Sequence, residues 1–436
     1  MTNDPSPVIL LCASRWYALS ARLAMAFLRH GASVSAICPR GHPLQFVPGI
    51  GKFYRYKSFN SLGSLKAAIV SARPELIVPC DDGVVLQLHA LCQQEPSLVA
   101  LIEHSLGKAE SYPIVESRDR LLQLAADLGI RVPRTQAIDS EPELANWSAS
   151  CAVLKADGSM GGEGTAIAHS RAEIIAAYRK LAKPLTAVTA AKRTVVNGRP
   201  LSIWGWRRAG KPSITIQEFI PGSPANTMIA CWRGEVLASV TVEVLSSQGP
   251  TGAATVVRLI RHTEIEEASR KLAGRLALTG FYGLDFILQR KNRGGARSDS
   301  AYLIEMNPRC TQLGHLRLQG QEDLAGVLIA RLRHDAAPSA RDSAGDVAEG
   351  DIIAFFPQAL FSNPASPYLH GGHHDVPWEA PQLVRELLLE EWPNRRLAAR
   401  AYHLFRKPVR SKEEPFDTAL EVPLPEKAGD SFSALT

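Results

Sequence analysis

The sequence predicts an α/β region followed by an α+β region, and three observations carry that expectation. Short apolar runs alternate with amphipathic stretches in the N-terminal quarter, a glycine-rich spacer separates two apolar runs near residue 160, and strand-like alternation dominates the middle of the chain. At 436 residues the chain exceeds what one hydrophobic core usually serves, so two or three packed units are expected.

"VILLCA" (8–13) reads as a buried strand, "YALSARLAMAFLRH" (17–30) as an amphipathic helix stopped by Gly31, and "SVSAIC" (33–38) as the next strand. A second cycle has a helix at 61–72, the strand "ELIVPC" (75–80) and a helix after Asp81 and Asp82, which together predict a parallel sheet flanked by helices. The first turn, "CASRWYALS", carries no GxGxxG, so its backbone is not prepared for close approach to a pyrophosphate and a scaffold role is expected.

"ESRDRLLQLAADLGIRVPRT" (116–135) opens a new region, a helix with the stripe Leu121, Leu122, Leu124, Ala125 and Leu128, ended by Gly129 and blocked by Pro133. In "CAVLKADGSMGGEGTAIAHS" (151–170) two strands flank the glycine loop, and a helix from Ser170 to Lys183 follows. "SITIQEFI" (213–220), "TMIACW" (227–232) and "EVLASVTVEVL" (235–245) are strands, the last two joined by a turn at Arg233 and Gly234. The helix "TEIEEASRKLAGRLALTG" is expected to close at Gly280, and "FYGLDFILQ" (281–289) and "AYLIEMNPR" (301–309) are strands joined by the polar tip "RKNRGGARSDS". The tail gives "DIIAFFPQALF" and the helix-like "APQLVRELLLEEW", and about the last 20 residues have a disordered composition. These readings divide the chain into 1–115, 116–335 with an internal split near 212–220, and an extension at 336–436.

Composition excludes several classes. Hydrophobic residues are 45% and charged residues 21%, as in ordinary globular proteins, and no apolar run is long enough to span a membrane. "MTNDPSPVILLCASRWY" has no basic start and too short an apolar run before Arg15 for a signal peptide, so a cytoplasmic protein is expected. Seven scattered cysteines without a CxxC pair support neither a disulfide framework nor a cysteine zinc site. The net charge of +6 is spread among acidic residues, and the basic stretch Arg395 to Arg410 reads as a solvated helix face, so nucleic-acid binding is not expected.

The chemistry gathers at two places. Gly158, Gly161, Gly162 and Gly164 strip side chains from a strand-to-strand connection, so its backbone N–H groups can close over an anion, and Lys155 on the preceding strand adds a fixed charge. Alone, this stretch reads equally as a flexible hairpin tip. In "LIEMNPR", Glu305 and Asn307 stand two apart on a strand and share a face, while Asp285 interrupts the apolar run "GLDFIL" on the partner strand. A buried carboxylate costs about 1–3 kcal/mol or more unless it is compensated, and Mg²⁺ takes one or two carboxylates with water and phosphate oxygens. Arg309 follows at once, its planar fork suited to a transferred phosphoryl group. The competing reading pairs Glu305 and Asp285 with arginines such as Arg258 or Arg261.

"VLKADGSMGGEGT", "IQEFIPG", "GLDFIL" and "LIEMNPR", in this order, resemble the ATP-grasp superfamily, particularly the branch shared by carbamoyl phosphate synthetase and biotin carboxylase, over roughly residues 8 to 330. The resemblance implies a Rossmann-like N-terminal domain, then two lobes holding ATP between them, then a small C-terminal extension. It implies that Lys155 touches the α-phosphate and adenine side, that Arg118 contacts phosphate, and that the loop with Gly161, Gly162 and Gly164 covers the β- and γ-phosphates. Gln217, Glu218, Phe219 and Ile220 would form the adenine hinge, Asp285, Glu305 and Asn307 the Mg²⁺ (or Mn²⁺) ligands, and Arg309 would meet the γ-phosphate or an acyl phosphate. Where many relatives hold a ribose-binding acid, about seven positions after the hinge glutamate, this chain has Ala225 with Asn226 next, an amide that could still hydrogen-bond a hydroxyl, so weaker nucleotide binding is expected before none.

The expected activity is an ATP- and Mg²⁺-dependent ligase that activates a carboxylate as an acyl phosphate for attack by an amine or thiol. Its partners would be small molecules, not nucleic acid or membrane, and a homodimer is left open. Two other readings stay open: an ATP-binding regulator or inactive member of the fold, and a phosphotransferase acting on a non-carboxylate acceptor. Arg258, Arg261 and Arg317 are candidates for holding an acidic substrate or, equally, surface charges. "HGGHHD" (370–375) is left out of the active site, because adjacent histidines diverge and no i, i+4 pair is present.

Overall fold

The computed structural model describes residues 6–156, 164–184, 186–187, 213–293, 296–320, 322–334, 346–389 and 391–395. Its N-terminal part is a Rossmann-like parallel sheet. Strands β1 (Val8–Cys12), β2 (Ser33–Cys38), β3 (Lys52–Arg55) and β4 (Leu76–Pro79) lie in the order β3-β2-β1-β4, all parallel. Helices α1 (Leu19–Arg29), α2 (Ser61–Ala72), α3 (Asp82–Gln94) and α4 (Val99–Leu106) accompany them. Two short helices follow, α5 (Tyr112–Val115) and α6 (Arg118–Asp127).

A four-stranded antiparallel sheet comes next, ordered β5-β8-β6-β7 from β5 (Thr135–Ile138), β6 (Ala152–Ala156), β7 (Thr165–Ala168) and β8 (Ile214–Glu218). Helix α7 (Arg171–Leu181), N-capped by Ser170, covers it, with Leu154, Ile174, Tyr178 and Ile216 in the core. The third sheet has seven strands: β9 (Ser223–Trp232), β10 (Glu235–Ser247), β11 (Ala254–Leu259), β12 (Gly280–Arg293), β13 (Ala296–Asn307), β14 (Ile352–Phe355) and β15 (His373–Asp375), ordered β13-β12-β9-β10-β11-β14-β15. On one face pack α6 and α8 (Thr263–Leu276); on the other pack α9 (Leu324–Arg333) and α1, so the N-terminal sheet and the large sheet share one core. No helix among the described residues is long and apolar enough to cross a membrane.

Local chemistry sets several boundaries. The turn at Arg233 and Gly234 has positive φ at both residues (50° and 90°), the geometry that a two-residue hairpin with right-handed strand twist needs. Helix α8 ends earlier than its sequence suggests, at Leu276, because Ala277 itself takes the left-handed conformation (φ 49°) and its N–H bonds back to Ala273 and Gly274. Gly280 instead opens β12 with φ 93°, where a Cβ would stand 2.6 Å from the carbonyl oxygen of Ser105. Gly107 mirrors it: φ is also 93°, and a Cβ there would stand 2.6 Å from the carbonyl oxygen of Ala277. Around this seam the Tyr282 hydroxyl donates to Leu106 O at 2.5 Å and the Ser111 hydroxyl to Leu276 O at 2.9 Å, both buried. The polar hairpin tip is also shorter than expected, since β12 and β13 continue through most of it.

Candidate functional site

The four-stranded sheet, the seven-stranded sheet and the N-terminal part meet at a cleft of about 450 Å³. Strand register explains the cluster at its floor. Asp285 pairs with Glu305 across β12 and β13 and with Asn226 across β12 and β9, while Asn307 pairs with Gly283, two residues from Asp285. Period-2 alternation then turns Asn226, Asp285, Glu305 and Asn307 to one face. The Asn226 amide donates to Asp285 Oδ1 at 2.6 Å and the Asn307 amide to Oδ2 at 3.0 Å. Burial, followed by the neighbouring Glu305 charge, pushes the Asp285 carboxyl up to about 6 in spite of these amides.

Glu305 is differently held. Arg118, at the first position of α6, donates from a terminal guanidinium nitrogen to Oε1 at 2.8 Å, and Lys155 Nζ lies 3.7 Å from Oε2. Burial alone would raise this carboxyl, but Arg118 and Lys155 outweigh it and keep it below the usual glutamate range. Lys155 reaches across from β6, and its Nζ also donates to Ile304 O at 3.3 Å. Burial draws the lysine below its ordinary range, against the pull of Glu305.

Arg309 closes the third side. Its Nε donates to Asp82 Oδ1 at 2.9 Å, one terminal nitrogen reaches Asn307 Oδ1 at 3.4 Å, and the guanidinium lies 5.8 Å from the ring centre of Tyr17. Burial works against its charge, but Asp82 more than offsets it and holds the guanidinium above the ordinary arginine value. The neighbouring Asp81 points inward: its carboxylate accepts from Ser14 N (2.7 Å), Ser14 Oγ (2.6 Å) and Val84 N (3.1 Å), tying the first βα turn to the start of α3.

The structure therefore brings together Lys155, Arg118, Asp285, Glu305, Asn307 and Arg309, and Gln217, Glu218, Phe219 and Ile220 line the same cleft. Gly164 is described, its carbonyl accepting from Ala156 N at 2.8 Å where β6 and β7 diverge; Gly158, Gly161 and Gly162 lie outside the described residues. Ala225 is turned away from the cleft, fully buried with Ile229 and Leu272, because it is one residue out of phase with Asn226. Asn226, read in the sequence as an amide that could take over a hydroxyl contact from that position, stands on the site's own face.

Three arginines singled out in the sequence pair elsewhere. Arg258 sits opposite Glu243, itself opposite Ala225, and so lies on the face away from the cleft, 3.6 Å from Glu243. Arg261 pairs with Glu349 at 3.1 Å and Arg317 with Asp346 at 3.1 Å. In "HGGHHD", His373 to Asp375 form the edge strand β15, and Asp375 is buried against Arg22 (2.5 Å) and His315 (2.9 Å). Sequence reasoning missed Asp82 and Tyr17, which carry no local signal, and for Asn226 it offered a hydroxyl partner and not the Asp285 carboxylate that its amide meets.

Comparison with known proteins follows the same lines. Residues 120–312 match the family model for the ATP-grasp domain. No curated protein matches the chain in sequence. Among solved structures, the chain is similar to carboxyaminoimidazole ribonucleotide synthase from Aspergillus clavatus complexed with ATP, at 12% identity over 80% of each chain, with a TM-score of 0.56. It is also similar to N5-carboxyaminoimidazole synthetase from Staphylococcus aureus complexed with ADP, at 12% identity over 77% of this chain and 80% of that one, TM-score 0.55. A third similar structure is L-amino acid ligase from Bacillus licheniformis, at 15% identity over 80% of each chain, TM-score 0.52. At these identities the likeness is one of fold.

Proposed function

We propose, from the premise that this chain belongs to the ATP-grasp superfamily, that it is an ATP- and Mg²⁺-dependent ligase joining a carboxylate to an amine through an acyl phosphate. One observation carries the proposal: Lys155 from the small sheet and Arg118 from α6 converge on Glu305, which stands opposite Asp285 in the register of the large sheet. Similar folds include an amino acid ligase and synthetases solved with ATP or ADP, which supports the same reaction class.

Asp285, Glu305 and Asn307 fit Mg²⁺. They offer two carboxylates and an amide oxygen, and among the described residues no cationic side chain forms an ion pair with Asp285, so its buried charge is left for a divalent ion. Bound there, the ion would neutralise charge on the β- and γ-phosphates. Lys155 and Arg118 would hold phosphate oxygens, the loop with Gly158, Gly161, Gly162 and Gly164 would cover them, and the backbone from Gln217 to Ile220 would receive the adenine.

A carboxylate is a poor electrophile because oxide would have to leave. An oxygen of the acid attacks the γ-phosphorus and ADP departs; the amine nitrogen then attacks the acyl carbon and inorganic phosphate departs. The chain's part is positioning, charge neutralisation and exclusion of water. Arg309, already aimed by Asp82, would stabilise the charge on the transferring phosphoryl group. The test is ADP release in the presence of carboxylic acids with amines, and hydroxamate formation when hydroxylamine replaces the amine. Failure to bind MgATP removes the proposal, and a phosphorylated product that never yields an amide replaces it with a phosphotransferase.

A further inference from the structure

One carboxylate facing the cleft has no part in this scheme. Glu116, the C-cap residue that follows α5, lines the cavity, and its side chain is 36% exposed. Its Oε1 lies 2.6 Å from Nδ1 of His89, whose ring is buried and stacked on Tyr112 at 3.7 Å between centres. A carboxylate partner selects the Nδ1–H tautomer, so His89 donates and fixes the direction of Glu116.

The other acids of the cavity are engaged. Asp285 accepts from two amides, Glu305 from Arg118 with Lys155 beside it, Asp82 from Arg309, and Glu218 from the backbone of Arg134 at 3.4 Å. Among the described residues, Glu116 is paired with no lysine or arginine. Asp82, Val85, Leu86 and His89 recur at i, i+3, i+4 and i+7 along α3, a single helix face. Val85 and Leu86, with Val115 beside Glu116, therefore give the cavity an apolar strip that has a carboxylate at its edge.

We propose that Glu116 binds the ammonium group of the acceptor amine, that Val85, Leu86 and Val115 receive the acceptor's apolar part, and that His89 is the positioning residue for Glu116. The proposal rests on the ligase reading above and deepens it: the nucleophile is a primary amine with an apolar body that binds as its ammonium and gives up one proton, through the exposed Glu116 carboxylate to water, before its lone pair attacks the acyl carbon. A half-exposed carboxylate with one oxygen already held by an aromatic donor presents the other oxygen for a charge-assisted hydrogen bond, which an ammonium group supplies and a neutral thiol does not.

The probe is L-leucinamide, a primary ammonium with an apolar side chain and no carboxylate, titrated calorimetrically into the full chain with MgADP present; N-acetyl-L-leucinamide is the uncharged control. Wild type is expected to bind the amine and not the control. Glu116→Gln should weaken leucinamide about 10-fold or more while MgATP affinity stays within about twofold, and Glu116→Asp, which keeps the charge but draws it away from His89, should fall between. His89→Gln should weaken leucinamide severalfold, with the double variant no worse than Glu116→Gln alone. The assignment is overturned if leucinamide does not bind wild type, binds Glu116→Gln equally well, or is lost in parallel with MgATP. Absence of MgATP binding to wild type is a separate outcome that removes the ligase reading itself.

Discussion

Asp82 and Arg309 are 227 residues apart in sequence, and their side chains meet at 2.9 Å. The helix that follows the last strand of the N-terminal sheet thus aims an arginine carried just beyond the end of β13. Because both side chains are largely shielded, 27% and 14% exposed, removing one leaves the other poorly solvated.

Asp82→Asn is expected to cost about 1–3 kcal/mol of stability and to lower kcat about 10-fold with the KM for MgATP nearly unchanged. Arg309→Lys keeps the charge but loses the planar fork and should lower kcat by about 10²–10³. Denaturant unfolding and steady-state ADP release measure the two effects separately.

Asp285→Asn should change stability and ligand response in opposite directions. The folded carboxyl titrates at about 6, and the unfolded one near 3.9. From about pH 4 to 6 the unfolded chain gives up its proton first, so stability falls as pH rises and the cost is complete above about 6, at up to roughly 3 kcal/mol. A neutral amide removes that cost and forfeits one acceptor, worth about 1 kcal/mol. The variant should therefore be more stable than wild type at pH 7.5, about equal at pH 4, and no longer stabilised by MgATP; melts at both pH values with and without nucleotide check this.

Asn226 donates to Asp285 at 2.6 Å. Asn226→Ala should destabilise by about 1–3 kcal/mol and shift the loss of Mg²⁺ binding to higher pH, since the ionised form of Asp285 loses a donor. Titration of Mg²⁺ across pH 5 to 8, followed by calorimetry, would reveal the shift, and an unchanged profile would remove Asn226 from the site.

His42 sets an acid limit. Burial holds its imidazole down to about 3, and its Nδ1 accepts from Leu44 N at 3.1 Å. The unfolded chain takes up this proton below about 6.5 while the folded protein does not until about 3, so stability falls with decreasing pH in that window, by roughly 1.4 kcal/mol per unit. His42→Asn keeps an acceptor for Leu44; it should be less stable at pH 7.5 yet show a shallower acid limb in urea unfolding.

Much of this architecture is legible in the sequence, because its signals are local. Spacing of two along "EMN" places Glu305 and Asn307 on one face, Gly129 stops α6, and the alternating βα pattern yields the parallel sheet. What is not legible depends on register or distance. Whether Ala225 or Asn226 faces the cleft is decided by which residue of β12 each opposes, and a one-residue slip reverses the answer. Asp82 resembles any acidic residue in the first turn of a helix until Arg309 is brought to it. The end of α8 lies at Leu276 and not at Gly280 because Ala277 adopts a left-handed conformation that glycine usually supplies, with its N–H bonded back to Ala273 and Gly274.

The seam at Gly107 and Gly280 brings main chain against main chain, and the buried hydroxyls of Tyr282 and Ser111 pin it on either side. The wall bearing Asp82 and Glu116 is thereby joined by close backbone contact to the sheet that carries Asp285 and Glu305. On the reading proposed above, the span from an acceptor at Glu116 to Asp285 and Glu305 would accordingly be set when the chain folds, whatever the small sheet does over the nucleotide.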